Sequence, residues 1–257
     1  MVCDDFANQE VMGIPSEYFL HYLQKGMEKP FDIEEVMALG ADANGNTSIK
    51  LMSNYLGEID HALPHNHLLS GPFANVYHAL QSSIWLYVYR RELDRQALSR
   101  LRARKSGIYH LKKTKGHLKL GAFVFDEAKL RANDQLEYST QLRRDMLAEI
   151  ESIQREEQIW KSFFSAWNIK PVVLEYEFIS RSAENYLAPL LTTLGYQPDP
   201  NLPSRTLARM SDTLSDDIIR QFRADTNPAA GNDMPPARTV YDLDDPVRLK
   251  RLIGSSV

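Results

Sequence analysis

The 257-residue sequence holds a single cysteine, Cys3. No intramolecular disulfide can form, a usage that fits a reducing compartment, and a cytoplasmic protein is expected. Cys3 has no histidine or second cysteine at useful spacing and is expected to be inert. No apolar run approaches the roughly 20 residues that cross a bilayer, so no membrane span is expected. The opening MVCDDFANQE is polar and acidic and is no secretory signal. Glycines are scattered: Gly40 and Gly195 are isolated, and Gly45 sits in an Asn-Gly-Asn turn. The seven histidines form no Ser-His-Asp order, and there is no internal repeat. His61, His65 and His67 make an H-x-x-x-H-x-H cluster, but Pro64 interrupts the helical spacing that zinc would need, and no metal is expected. The net charge of -4 speaks against a general nucleic-acid binder.

What is present centres on Ile84 to Ser99, IWLYVYRRELDRQALS. Six apolar or aromatic residues, Ile84 to Tyr89, predict a buried strand. Arg90 and Arg91 follow, then Glu92 and Asp94 where acids favour a helix start. Two cations thus stand at the carboxyl end of a strand, the edge where open α/β sheets bind ligands. Ser99 lies about two helical turns further on. From Arg95 to Phe125 there are nine Lys or Arg and no Asp or Glu. This stretch suits an anionic ligand, or it is a solvated basic face balanced by acids elsewhere.

Along the chain, residues 1–12 predict a helix. Ser16 to Leu23 predicts another, with Ser16 as N-cap, and Asp32 to Ala38 a third. Thr47 to Met52 predicts a strand. Helical segments near Tyr55–Leu63 and Pro72–Gln81 precede the strand at Ile84. The following helix runs to about Lys105, where Ser106-Gly107 breaks it. His117 to Phe125 alternates as a strand. Tyr138 to Trp167 carries a wide apolar stripe, broken by Glu157, and predicts one long helix ended by Asn168. Pro171 to Tyr176 predicts a buried strand, then a helix to Leu194 closed by Gly195. Ser215 to Arg223 predicts a last helix. Trp85, Trp160 and Trp167 fall on core positions. Three strands, each followed by a helix, predict an α/β fold with a mostly parallel sheet and helices on both faces. One domain over residues 1–225 is expected, with 226–257 as a flexible tail rich in Pro, Gly and Asp.

On these residues the chain resembles a P-loop-fold sulfotransferase, most closely the Stf0 type that sulfates trehalose. The segment Arg90-Arg91-Glu92-Leu93-Asp94-Arg95-Gln96-Ala97-Leu98-Ser99 is similar to that family's strand, Arg, acid and Gln-Ala-Val-Ser helix. The resemblance implies that an Arg and Ser99 grip the 3′-phosphate of 3′-phosphoadenosine 5′-phosphosulfate (PAPS). A bidentate guanidinium and a hydroxyl suit a phosphate. Spacing to Ser99 in the Stf0 type favours Arg90; that of wider sulfotransferases favours Arg91. Gly13-Ile14-Pro15-Ser16-Glu17-Tyr18-Phe19 resembles the Gly-x-Pro-x-Glu-(Tyr/Phe)-Phe segment, whose Glu is the general base, here Glu17. Lys50-Leu51-Met52 resembles a Lys-Leu-Met at the end of an early strand, with Lys50 facing the bridging oxygen. Glu157 to Phe164 and Leu174 to Glu177 are similar to the long helix and the next strand. Arg209-Met210-Ser211-Asp212 resembles the Arg-Gln-Ala-Asp segment, implying Arg209 near the nucleotide.

The implied fold is P-loop-like and three-layered, and the implied partners are PAPS or its product, a hydroxylated sugar acceptor and a second copy of the chain. The family opens with a strand and a Ser-Gly-Ser-Thr loop that cradles the 5′-phosphosulfate. Met1 falls just after the place of that loop, so the first strand and cradle are expected to be absent. Two readings stay open: a sulfotransferase acting on a carbohydrate or glycolipid hydroxyl, and a non-catalytic nucleotide-binding relative. A third, nucleic-acid binding through residues 95–119, lacks a reader motif.

Overall fold

The computed structural model describes residues 2–8, 12–24, 32–107, 111–114, 117–120, 136–180, 184–197 and 213–226. They fall into two compact units. The first takes its described residues from Met1–Tyr89 and Glu156–Ser204, the second from Arg90–Arg155 and Arg205–Tyr241. The class is mixed α/β. Arg209 and, beyond Thr226, the expected tail lie outside the described residues.

In the first unit, α1 (Val2–Ala7), α2 (Tyr18–Gln24) and α3 (Ile33–Leu39) are short. Asp32 caps α3 by accepting the Glu34 N–H at 2.9 Å, which satisfies one of the free donors of the first turn. A 3-10 turn (Ser53–Tyr55) leads into α4 (Leu56–Ala62), and α5 (Ala74–Ala79) precedes β1 (Leu86–Tyr89). The Asp60 carboxylate caps α5, taking the N–H groups of Asn75 and Val76 at 2.9 and 3.0 Å. Phe19, Val36, Tyr55, Leu56, Ile59, Val76 and Phe163 form one core. Trp85, Trp160, Phe163 and Phe164 make an aromatic cluster beside it, and Trp167 stacks on Tyr77 at 4.2 Å. All three tryptophans therefore pack, as their periodicity implied.

β1 pairs in parallel with β4 (Val172–Glu175), Leu86 opposite Val172 and Tyr89 opposite Glu175. Tyr89 donates to the Glu175 carboxylate at 2.8 Å across that last pair. The strand is shorter than the apolar run suggested: Ile84 is 60% exposed, because pairing begins two residues later. The expected strand at Thr47 to Met52 is a correction of a different kind. It makes two isolated bridges, Ser16 to Ile49 in parallel and Ala41 to Thr47 antiparallel. Its alternation is satisfied by loop partners on either side rather than by a ladder.

After β4 come α8 (Tyr176–Ile179) and α9 (Glu184–Thr193). Leu187, Leu190 and Leu191 of α9 pack with Phe6, Val172, Leu174 and Ile179 in a second core. Buried Tyr186 donates to buried Asp5 at 2.6 Å, which ties α1 to α9. Tyr186→Phe is expected to lower stability by about 1–2 kcal/mol, since the carboxylate keeps other partners. Urea unfolding checks it, and an unchanged midpoint would show the contact to be idle.

In the second unit, α6 (Leu93–Ser106) ends at Gly107, whose φ of 72° places it in the left-handed region while its N–H bonds Ala103. β2 (Leu111–Thr114) and β3 (His117–Leu120) form an antiparallel hairpin, so the strand expected from His117 has its partner just upstream. The long helix α7 (Thr140–Ala166) gives its first part to this unit and its last turns to the first unit. Leu142 and Met146 of α7 pack with Leu98 and with Ile218, Ile219 and Phe222 of α10 (Thr213–Thr226). Each such buried side chain contributes roughly 1.5–3 kcal/mol. No described helix is long and apolar enough to cross a membrane.

Candidate functional site

In the first unit, the loop from Met12 to Glu17 is strapped to the turn at 40–50. Ile14 donates its N–H to the Gly40 carbonyl at 2.8 Å, and Ser48 donates its hydroxyl to the Met12 carbonyl. The Asp42 carboxylate collects four donors: the N–H groups of Gly13, Asn44 and Asn46 and the Asn46 amide, at 2.8–3.3 Å. Burial alone would raise that carboxyl; the donors outweigh it and hold Asp42 below the usual carboxylate range. Gly13 has φ +79°, and a Cβ there would stand 2.5 Å from the Gly40 carbonyl oxygen.

The strap ends in chemistry. The Lys50 N–H bonds the Ser16 carbonyl at 2.9 Å beside the Ser16–Ile49 bridge. This register sets Glu17 and Lys50 side by side, with the ammonium 2.5 Å from Oε1. Tyr55 donates to Oε2 at 3.3 Å. The Glu17 and Lys50 side chains are 29% and 34% exposed, so both are held yet reachable from solvent. Burial first, then the Glu17 charge and the hydrogen bond to it, push the Tyr55 phenol far up, and it stays protonated. Cys3 lies within electrostatic reach of Glu17 and Lys50; burial pushes its thiol up, consistent with an inert residue.

Glu17 and Lys50, singled out from separate motifs, are thus brought together. Tyr55 and Asp42 were missed: neither stands in a motif, and only the bridging of distant loops brings them into play. The histidine cluster reduces to an edge-to-face contact of His65 and His67 at 4.5 Å. Among the described residues, no group of three His, Cys, Asp or Glu is placed to hold a metal.

In the second unit, Arg90 and Arg91 are half-buried and precede Glu92, the N-cap of α6. Ser99 is exposed on that helix, one turn beyond Arg95. Three arginines of the basic stretch, Arg95, Arg100 and Arg104, are paired with acids. Arg95 pairs with Asp216 at 2.6 Å and Glu92 at 3.2 Å. Burial would lower the Arg95 guanidinium, but these acids outweigh it and hold it above its ordinary value. Arg100 and Arg104 converge on Glu149, and buried Arg102 bonds Ser215. Arg223 of α10 clamps Asp94 at 2.5 Å and Glu92 at 3.3 Å. The acids at the start of α6 therefore hold α10 as well as favouring the helix dipole. For Arg95, Arg100 and Arg104 the acids that balance the charge come from elsewhere in the chain.

The protein is thus a mixed α/β chain whose first unit sets a carboxylate beside an ammonium and whose second unit carries two arginines ahead of a helix start. The chain belongs to the Stf0 sulphotransferase family, whose profile matches residues 26–225. That span contains Lys50, Arg90, Arg91, Ser99 and Arg209; Glu17 stands before it. The chain is similar to the trehalose 2-sulfotransferase of Mycolicibacterium smegmatis (strain ATCC 700084 / mc(2)155), 29% identical over 77 residues. The matched stretch covers 30% of this chain and spans 28% of the length of that relative.

Proposed function

We propose that the protein is a sulfotransferase that moves a sulfuryl group from PAPS to a hydroxyl of a carbohydrate or glycolipid. The observation that carries this reading is the Glu17 carboxylate held 2.5 Å from Lys50 in a chain of the Stf0 family. The acceptor oxygen attacks sulfur, and the bond from sulfur to the 5′-phosphate oxygen breaks. Glu17 takes the acceptor proton, and Lys50 meets the negative charge that gathers on the departing oxygen. In the second unit, Arg90 or Arg91 with Ser99 is assigned to the 3′-phosphate, and Arg209 to the nucleotide. Half-buried guanidiniums ahead of a helix start suit that anion. The similar protein, a trehalose 2-sulfotransferase, supports a sugar acceptor. A P-loop-like three-layer fold, a homodimer and a cytoplasmic location belong to the same reading.

Calorimetry with 3′-phosphoadenosine 5′-phosphate tests the donor assignment. Wild type is expected to bind, and Arg90→Ala with Arg91→Ala together to weaken binding about 30-fold, the scale of one or two charge-assisted hydrogen bonds. Absent binding by wild type, or equal binding by the double variant, would sink the assignment. Binding without sulfuryl transfer would favour the non-catalytic relative.

A further inference from the structure

We infer that Tyr55 is a positioning residue that fixes the orientation of the Glu17 carboxylate; this rests on Glu17 acting as the base. Lys50 holds one carboxylate oxygen, but an ammonium on a four-carbon stem is a rotatable point charge and does not set the plane of its partner. Tyr55 supplies what Lys50 lacks. Its ring is 4% exposed and packs in the first core with Phe19, Leu56 and Ile59. With two side-chain torsions locked by that packing, the position of its hydroxyl is a property of the core. That hydroxyl donates to Oε2 at 3.3 Å while Lys50 holds Oε1 at 2.5 Å. Two donors on two oxygens, one of them anchored, define where the remaining lone pairs point. A carboxylate has about four such acceptor sites, so room is left for an acceptor hydroxyl. The buried phenol remains a donor across the working pH range.

The test is a double-mutant cycle in the full chain with Tyr55→Phe, Glu17→Ala and both, a set in which the buried ring is kept throughout and the Glu17 acceptor is removed. One readout is sulfuryl transfer from labelled PAPS to trehalose as the probe acceptor. Tyr55→Phe is expected to lower kcat about tenfold with KM for trehalose unchanged, and to cause no further loss in the Glu17→Ala background. The second readout is urea unfolding, where the pair is expected to show a coupling of about tenfold in the unfolding equilibrium constant. An unchanged kcat, or the same loss in both backgrounds, would reduce Tyr55 to packing and overturn the inference. Where wild type does not sulfate trehalose, the unfolding cycle decides alone. Coupling near unity overturns the hold of Tyr55 on Glu17, whereas tenfold coupling keeps it, and the silent rate then counts against trehalose as the acceptor.

Discussion

Gly13→Ala is expected to destabilise the first unit by about 3 kcal/mol and to lower sulfuryl transfer by about 100-fold. Two costs add. A residue with a Cβ at φ +79° pays roughly 1–2 kcal/mol for the left-handed region. The new methyl would also stand 2.5 Å from the Gly40 oxygen, 2.5 Å from the Ser48 nitrogen and 2.7 Å from the Asn46 oxygen. All three are backbone atoms, so no rotamer relieves the overlap, and such overpacking costs about 1–3 kcal/mol. Relief requires the strap to open, which breaks the Gly13 bond to Asp42 and moves Glu17 four residues on. A displacement near 1 Å is enough for a hundredfold loss of rate. Urea unfolding and initial rates measure the two effects; a Gly13→Ala variant within about 1 kcal/mol of wild type would refute the account. Acid acts on the same strap. The Asp42 pKa is depressed, so its contribution is present above the ordinary carboxylate range and is lost as pH falls through the depressed value.

That glycine marks how far the sequence could be read. The Gly-x-Pro-x-Glu segment singled out Glu17 and the Lys-Leu-Met segment Lys50, each through its resemblance to a family segment. Their contact depends on one bridge between Ser16 and Ile49, which no local pattern encodes. Long periodic elements were legible because one face repeats. The apolar stripe of Tyr138 to Trp167 became α7, and the Ser106-Gly107 break ended α6. The expected strand at Thr47 to Met52 failed because alternation reports a two-sided environment, and here loops supply both sides. The basic stretch stayed open for a related reason. A count of cations says nothing of Glu149 and Asp216, which reach it from helices far along the chain. Tyr55 was invisible because a buried tyrosine and a functional one look alike until the hydroxyl has an address.

Glu17→Gln is expected to lower kcat by about 1,000-fold, within the 100- to 10,000-fold span of a positioned base, while binding of 3′-phosphoadenosine 5′-phosphate stays within about twofold. Glutamine keeps the shape and an oxygen for the Tyr55 hydroxyl, so the contact at 3.3 Å has a successor. What it loses is the ability to take a proton. Lys50 loses its ion pair, but that pair is about a third exposed and stabilises the fold by about 1 kcal/mol or less. The variant should therefore unfold close to wild type, which separates chemistry from stability. Glu17→Asp completes the argument. It keeps the charge and withdraws it by one methylene from both Lys50 and Tyr55. A loss of about 100-fold is expected there from misplacement alone. If the Glu17→Asp variant matched wild type, charge near the site would suffice and the two-donor hold would be unnecessary. If the Glu17→Gln variant kept more than about a tenth of kcat, proton removal by this carboxylate would not be part of the reaction. On the proposed reading charge and position both matter, because a weakly acidic hydroxyl becomes a competent nucleophile only as its proton leaves in the right direction.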